Sequence, residues 1–260
     1  MHTSASSPPE GTGHVRIAAV ADLHFGRHAE GSLQPLLAQL SGSADILLVC
    51  GDLTDHGYPD QARALTRELT RHVSIPIISV LGNHDFESGH AGEVQAILRD
   101  AGIVVLDGDA CEVRGVGFAG TKGFCGGFGT HALGAWGEPQ IKTFVNEAVQ
   151  EALKLETALA RIRSETAIAV LHYAPVVGCV IGEPPEIFPF LGSSRLEEPL
   201  LRYPVSAVVH GHAHRGHATC KTANGVPVYN VSWPLLQRVT PERPFALLEM
   251  QPDGQHIHAL

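Results

Sequence analysis

Long apolar runs are missing from this chain of 260 residues. No stretch reaches the roughly 18 apolar residues that a membrane-crossing helix requires, so no transmembrane segment and no membrane partner are predicted. Basic residues are scarce as well: 18 Lys and Arg stand against 27 Asp and Glu, for a formal charge of −9. The chain therefore lacks the positive field that supplies most affinity for long nucleic acids, and no basic stretch is interleaved with aromatics. The five cysteines (Cys50, Cys111, Cys125, Cys179, Cys220) are odd in number, widely spaced and free of any CxxC pair. Neither a disulfide framework nor a thiolate zinc site is indicated, and a reducing compartment fits best. Residues 1–13 are rich in Ser, Thr, Pro and Gly and have no apolar h-region, so they read as a flexible tail rather than a signal peptide. A cytoplasmic protein is expected.

What is present points to a folded enzyme. With 44% hydrophobic and 17% charged residues and 28 glycines, the chain can bury a full core, and residues 14–260 are expected to form a single domain. Short runs rich in Val and Ile at 15–21, 46–50, 75–81, 167–171 and 205–209 read as buried strands. Among the first of them, apolar spacing predicts helices over 33–40, 59–72 and 87–101, the last closed by Gly102, a βαβαβα opening. Short strands at 103–106, 111–113 and 116–119 predict hairpins and a second sheet, followed by a long helix from about 140 to 163. Residues 176–202 read as a long Pro- and Gly-rich loop, a kind that is usually functional, and strands at 226–231 and 245–250 finish the chain. The pattern fits a four-layer α-β-β-α sandwich of two mixed sheets flanked by helices; a three-layer doubly wound fold is the alternative.

Five of the apolar runs end directly in a polar block: Asp22-Leu23-His24, Gly51-Asp52-Leu53-Thr54-Asp55, Gly82-Asn83-His84-Asp85, His172 and Gly211-His212-Ala213-His214. Ligands bind at the carboxyl ends of such strands in α/β sheets, so the blocks can converge, and carboxylate, amide and imidazole together read as a two-metal centre. A carboxylate suits the bridging position between two ions because its two oxygens can reach both; Asp52 is the candidate. Residues two apart on an extended strand share a face, which groups Asp22 with His24. By itself Asn83 after Gly82 reads as a turn or cap; the flanking blocks favour a ligand.

In order and content these blocks resemble the calcineurin-like binuclear metallophosphoesterases, whose pattern is D-x-H, G-D-x-x-D, G-N-H-[DE], a His, and G-H-x-H. The resemblance runs from Asp22 to His214. It implies the sandwich fold and one metal site of Asp22, His24 and His214 with Asp52. Asn83, His172 and His212 with Asp52 would form the other. It further implies that His84 is not a ligand but the acid that protonates the leaving alkoxide, with Asp55 accepting a hydrogen bond from the far ring nitrogen; Asp55 as a turn cap is the other reading. His28 and His56 stand near the motifs and Arg195 in the long loop, each either a substrate contact or a surface residue. The Gly-rich segment 123–129 lacks both the GxGxxG and the P-loop spacing and reads as an active-site rim or a plain connection. Donors without thiolate fit two transition-metal ions, Mn, Fe or Zn. The activity implied is hydrolysis of a small phosphomonoester or phosphodiester, with a nuclease or pyrophosphatase as the alternative and a non-catalytic scaffold as a distant one.

Overall fold

A computed structural model describes residues 14–27, 31–250 and 257–259. The expected tail, residues 1–13, lies outside the described residues. The opening alternates strand and helix: β1 (Val15–Val20), α1 (Gln34–Ser43), β2 (Ile46–Cys50), α2 (Pro59–His72), β3 (Ile77–Val80), α3 (Ala91–Asp100) and β4 (Val104–Val105). A hairpin, β5 (Asp109–Val113) and β6 (Val116–Gly120), leads to the long α4 (Pro139–Leu159) and β7 (Thr166–Val170). Then come α5 (Phe188–Leu191), α6 (Glu197–Arg202), β8 (Ala207–His210), β9 (Thr219–Lys221), β10 (Pro227–Asn230), α7 (Trp233–Val239), β11 (Ala246–Met250) and β12 (Ile257–Ala259).

Two six-stranded sheets form, in the orders β12-β11-β1-β2-β3-β4 and β5-β6-β7-β8-β10-β9. Both are mixed: β1 to β4 run parallel, as do β6, β7, β8 and β10, while β11, β12, β5 and β9 pair antiparallel at the flanks. The strand period of two divides the core. Ile17, Ala19, Ile46, Leu48, Ile78 and Val80 of the first sheet face Phe118, Ile168, Val170 and Val209 of the second. The alternate residues Ala18, Val20, Leu47 and Val49 face outward onto Leu36, Leu40, Leu65, Leu69 and Leu98 of α1 to α3. On the far side Ala119, Ala169 and Val208 meet Leu155, Ala158 and Leu200 of α4 and α6. Each central strand is covered on both faces, which is why these segments are continuous apolar runs rather than alternating ones. The layers are α-β-β-α, the four-layer sandwich.

Some sequence expectations are corrected. Strand 103–106 joins the first sheet, parallel to β3, rather than the second. The helix expected over 87–101 starts only at Ala91, as α3, and a 3-10 turn at His84–Phe86 precedes it, because Gly89 takes a φ of +78° between them and turns the chain out of helical conformation. The 176–202 segment is a chain of short helical turns rather than a featureless loop, with Pro185 and Pro189 in the first turn of two of them. Three elements, β9, β12 and α7, carry only three to seven residues each and were too short for periodicity to reveal. Finally, Cys179 and Cys220 form a disulfide across 41 residues, against the expectation of free thiols; Cys50, Cys111 and Cys125 are free, and Cys50 is buried as expected.

Candidate metal centre

Parallel strands of both sheets end at one edge, and cross-links hold the ends together. Asp22 N donates to Gly51 O at 3.0 Å, Gly211 N to His172 O at 3.1 Å, and Ala21 N to Val231 O at 2.9 Å. Leaving the strands, the chain turns sharply. Five described non-glycine residues have positive φ, and four of them are motif residues: Asp22 (60°), His24 (43°), Asp52 (48°) and His212 (69°). The fifth, Arg114, sits in the β5–β6 hairpin turn. A left-handed residue with a Cβ costs roughly 1–2 kcal/mol, so four at one place are strain held by the surrounding structure. The motif glycines answer a related demand. A Cβ on Gly51 would overlap the His172 ring, and one on Gly82 would overlap Asp52 N and Oδ1.

These turns gather two groups. Asp22, His24 and His214 each offer a ligand atom within 4.8 Å of the others, and so do Asp52, His172 and His212. Asp52 lies between them: its Oδ2 is 3.8 Å from His24 Nε2 and its Oδ1 is 3.4 Å from His172 Nε2. Asn83 Oδ1 is 2.9 Å from His172 Nε2. Backbone carbonyls fix the imidazole tautomers, since a carbonyl only accepts. His172 Nδ1 donates to Cys50 O at 3.0 Å and leaves Nε2 with its lone pair; His212 Nε2 donates to Phe190 O at 3.1 Å and leaves Nδ1. Such outer contacts are the ones that orient imidazole ligands. His24, 3% exposed, has no hydrogen-bond partner among the described residues at either ring nitrogen, a costly state for a buried polar ring that a coordinated cation would relieve.

The electrostatics agree with a cation-binding role. Burial pushes the imidazoles of His24 and His172 down to about 4 and that of His212 to about 3, so they are neutral lone-pair donors. Burial also opposes ionisation of Asp22, but the hydrogen bond from His214, at 3.2 Å, and the neighbouring imidazoles outweigh it and hold the carboxyl below the usual range. Asp52 is raised by burial and by the nearby Asp22 and Asp85. The neutral imidazoles of His24 and His172 leave Asp52 short of compensating positive charge, and a nitrogen and oxygen donor set without thiolate suits transition-metal ions.

His84 stands beside this group, its ring 4.6 Å from that of His24 and its backbone N–H donating to Asp52 Oδ1 at 2.9 Å. Asp55 accepts from this ring through its backbone rather than its side chain: His84 Nδ1 donates to the Asp55 carbonyl at 2.7 Å. The Asp55 carboxylate is turned toward Arg27 (2.9 Å), His56 Nε2 (3.3 Å) and His24 Nδ1 (3.4 Å), because Asp55 N is tied to Phe25 O at 3.0 Å, beside the first-strand loop. His56 is half-exposed and reaches Glu87 Oε2 at 3.1 Å, on the rim next to His84. Arg195 has its contacts elsewhere: its guanidinium donates to Leu133 O at 3.4 Å and lines a surface cavity with α4 and α6. His28 lies outside the described residues.

Asp85 was not singled out by sequence reasoning, although it completes the G-N-H-D block. It is fully buried, and its carboxylate accepts from Gly82 N (2.8 Å), Thr54 N (2.8 Å), Leu53 N (3.2 Å) and Thr54 Oγ1 (2.6 Å). Burial raises its pKa against these four donors; all four point into an ionised carboxylate, which therefore clamps the Asp52 and Asn83 turns to one another. Tyr173 was missed too, its ring packing at 4.5 Å on that of His212.

Known proteins share both the motif blocks and the fold. The family model described as Calcineurin-like phosphoesterase matches residues 15–216, a span that includes every block named above. The crystal structure of TT1561 of Thermus thermophilus is similar in fold, with a TM-score of 0.56 at 15% identity over 95% of this chain and 98% of that one. No curated protein sequence matches.

Proposed function

Because the chain belongs to the calcineurin-like phosphoesterase family, whose members are metal-dependent phosphoesterases, we propose that it hydrolyses a small phosphomonoester or phosphodiester with two transition-metal ions. The observation that carries this reading is the placement of Asp52 between two carboxylate and imidazole clusters, one oxygen toward each. In the proposed arrangement Asp22, His24 and His214 hold one ion with Asp52, and Asn83, His172 and His212 hold the other with Asp52. When bound, a pair of such ions neutralises phosphoryl charge and makes water more acidic.

The chain's own residues divide the remaining work. Cys50 O and Phe190 O keep His172 and His212 in the tautomers that present a lone pair to the site. The Asp55 carbonyl keeps a proton on His84 Nδ1, so the exchangeable proton of that ring sits on Nε2. Glu87 Oε2 lies 3.4 Å from Nδ1, and the Nε2 proton is the one this ring can give to a leaving alkoxide. Asp85 fixes the spacing of the Asp52 and Asn83 turns and so the distance between the two clusters. The donor set favours Mn, Fe or Zn over Ca.

Elemental analysis of protein purified without chelator is expected to find about two metal equivalents per chain, and chelation followed by add-back should abolish and restore hydrolysis of a nitrophenyl phosphate ester. Hydrolysis that survives complete depletion refutes the proposal.

A further inference from the structure

Beside the metal centre lies a buried cation with no carboxylate partner among the described residues. Lys122, two residues beyond β6, is 8% exposed, and its Nζ makes one hydrogen bond, to Gly123 O at 2.8 Å. The rings of Phe124, Phe86 and Tyr173 lie 4.9, 5.4 and 5.4 Å from the ammonium. Among the described residues no carboxylate oxygen comes within ion-pair distance. Glu151, whose field reaches the ammonium, is already committed to Thr121, Gly123 N and Lys154. A buried ammonium with donors to spare is costly unless an anion meets it.

The space it faces can receive one. Lys122 lines a cavity of about 210 Å³ together with Phe86, Ala91 and Gly92. Ala91 and Gly92 open the ten-residue α3; amides of a first turn have no intrahelical acceptor, and the positive end of the helix dipole points the same way. A Cβ built on Gly92 would meet nothing within 4 Å, so this backbone is open to approach. Asp107, the acidic residue on the wall, is neutralised by Lys154 at 2.8 Å. The cavity adjoins the centre: Phe86 follows His84 by two residues, and Tyr173, which covers the ammonium, packs on His212 and, at 5.5 Å, on His172.

We infer that this cavity is a subsite for a second phosphoryl group of the substrate, one that is not attacked, held by Lys122 and the first-turn amides of α3. Its role toward substrate rests on the phosphoesterase reading; the anion site itself does not. The two are tested separately. The full chain, loaded with diamagnetic zinc, is titrated with sulfate while the amide signals of Ala91 and Gly92 are followed by NMR. Saturable shifts are expected, with affinity about tenfold or more weaker in Lys122→Met, the worth of one charged hydrogen bond. In parallel, kcat/KM is measured for thymidine 5′-(4-nitrophenyl phosphate) and for the same ester carrying a 3′-phosphate. The ratio of the second to the first should fall about tenfold in the variant, a change that a purely structural lysine would not produce. Lys122→Gln, which keeps a donor for Gly123 O without the charge, repeats both arms should the Met variant misfold. Sulfate shifts that are absent, or equal in wild type and variants, overturn the anion site. Normal sulfate binding with an unchanged ester ratio overturns its role toward substrate. If sulfate binds as expected while the wild type cleaves neither ester, the anion site stands and the phosphoesterase reading falls.

Discussion

Replacing Asp85 by Asn changes one atom of a fully buried side chain, and the four hydrogen bonds it accepts set the size of the effect. In the wild type one oxygen takes Thr54 N and Thr54 Oγ1, and the other takes Leu53 N and Gly82 N. An asparagine can keep one of these pairs. Its amide nitrogen then faces the other pair. The Thr54 hydroxyl can rotate to accept from that nitrogen, so the favoured orientation keeps the oxygen on Leu53 N and Gly82 N and leaves Thr54 N, one buried donor, without its acceptor. Such an unsatisfied group costs about 1–3 kcal/mol. In a protein of this size 1 kcal/mol is worth about 2–4 °C, so the midpoint of thermal unfolding should drop by roughly 5 °C. Thr54 follows Asp52 by two residues, so metal content should fall with stability. Calorimetry and elemental analysis of the same preparation check both. An Asp85→Asn protein that melts within about 2 °C of wild type, the least that 1 kcal/mol would move it, and retains its metals refutes the idea that this carboxylate clamps the two turns.

Three further outcomes are expected. Asp52→Asn should lose more metal and more activity than Asp22→Asn, since Asp52 faces both clusters and Asp22 only one; equal metal content and rates in the two variants would count against the bridging role. His84→Ala should retain its metals and lose about 10²- to 10⁴-fold in rate, less for a nitrophenolate leaving group than for an alkoxide, whereas His214→Ala should lose metal; a uniform loss across leaving groups refutes the acid role. Cys179→Ser with Cys220→Ser should destabilise by up to ~4 kcal/mol, the chain-entropy value for a closed loop of this length, seen as a lower melting temperature than wild type in oxidising buffer, a gap that closes when wild type is reduced. A wild-type melting curve that does not move on reduction would show that the bond adds nothing.

Much of the site was legible because its chemistry is carried by short blocks set immediately after apolar runs. Asp22, His24, Asp52, Asn83, His172, His212 and His214 all converge at the edge where the runs end. What stayed open were relations in which the local sequence leaves several partners possible. Asp55 has both a carboxylate and a carbonyl, and the choice between them for His84 depends on a hydrogen bond from Asp55 N to Phe25. Asp85 looks like any polar residue after a histidine until four donors from two other turns are seen to meet it. Arg195 had a phosphate-friendly neighbourhood in sequence, yet its guanidinium bonds Leu133 O.

The sequence by itself determined the layer class and the order of the strands' polar endings, because strands covered on both faces must be apolar runs and ligands can only follow where those runs stop. It also determined the glycines at 51 and 82, where no side chain fits beside His172 and Asp52. Only the tertiary structure decided which sheet β4 would join, which two of five cysteines would bond, and that Lys122 would be buried among three rings at the mouth of an α3 cavity. Each of those is a contact between segments brought together by packing of the two sheets and their helices. Local propensity and periodicity act over a few residues and carry no record of which distant segment will be the neighbour.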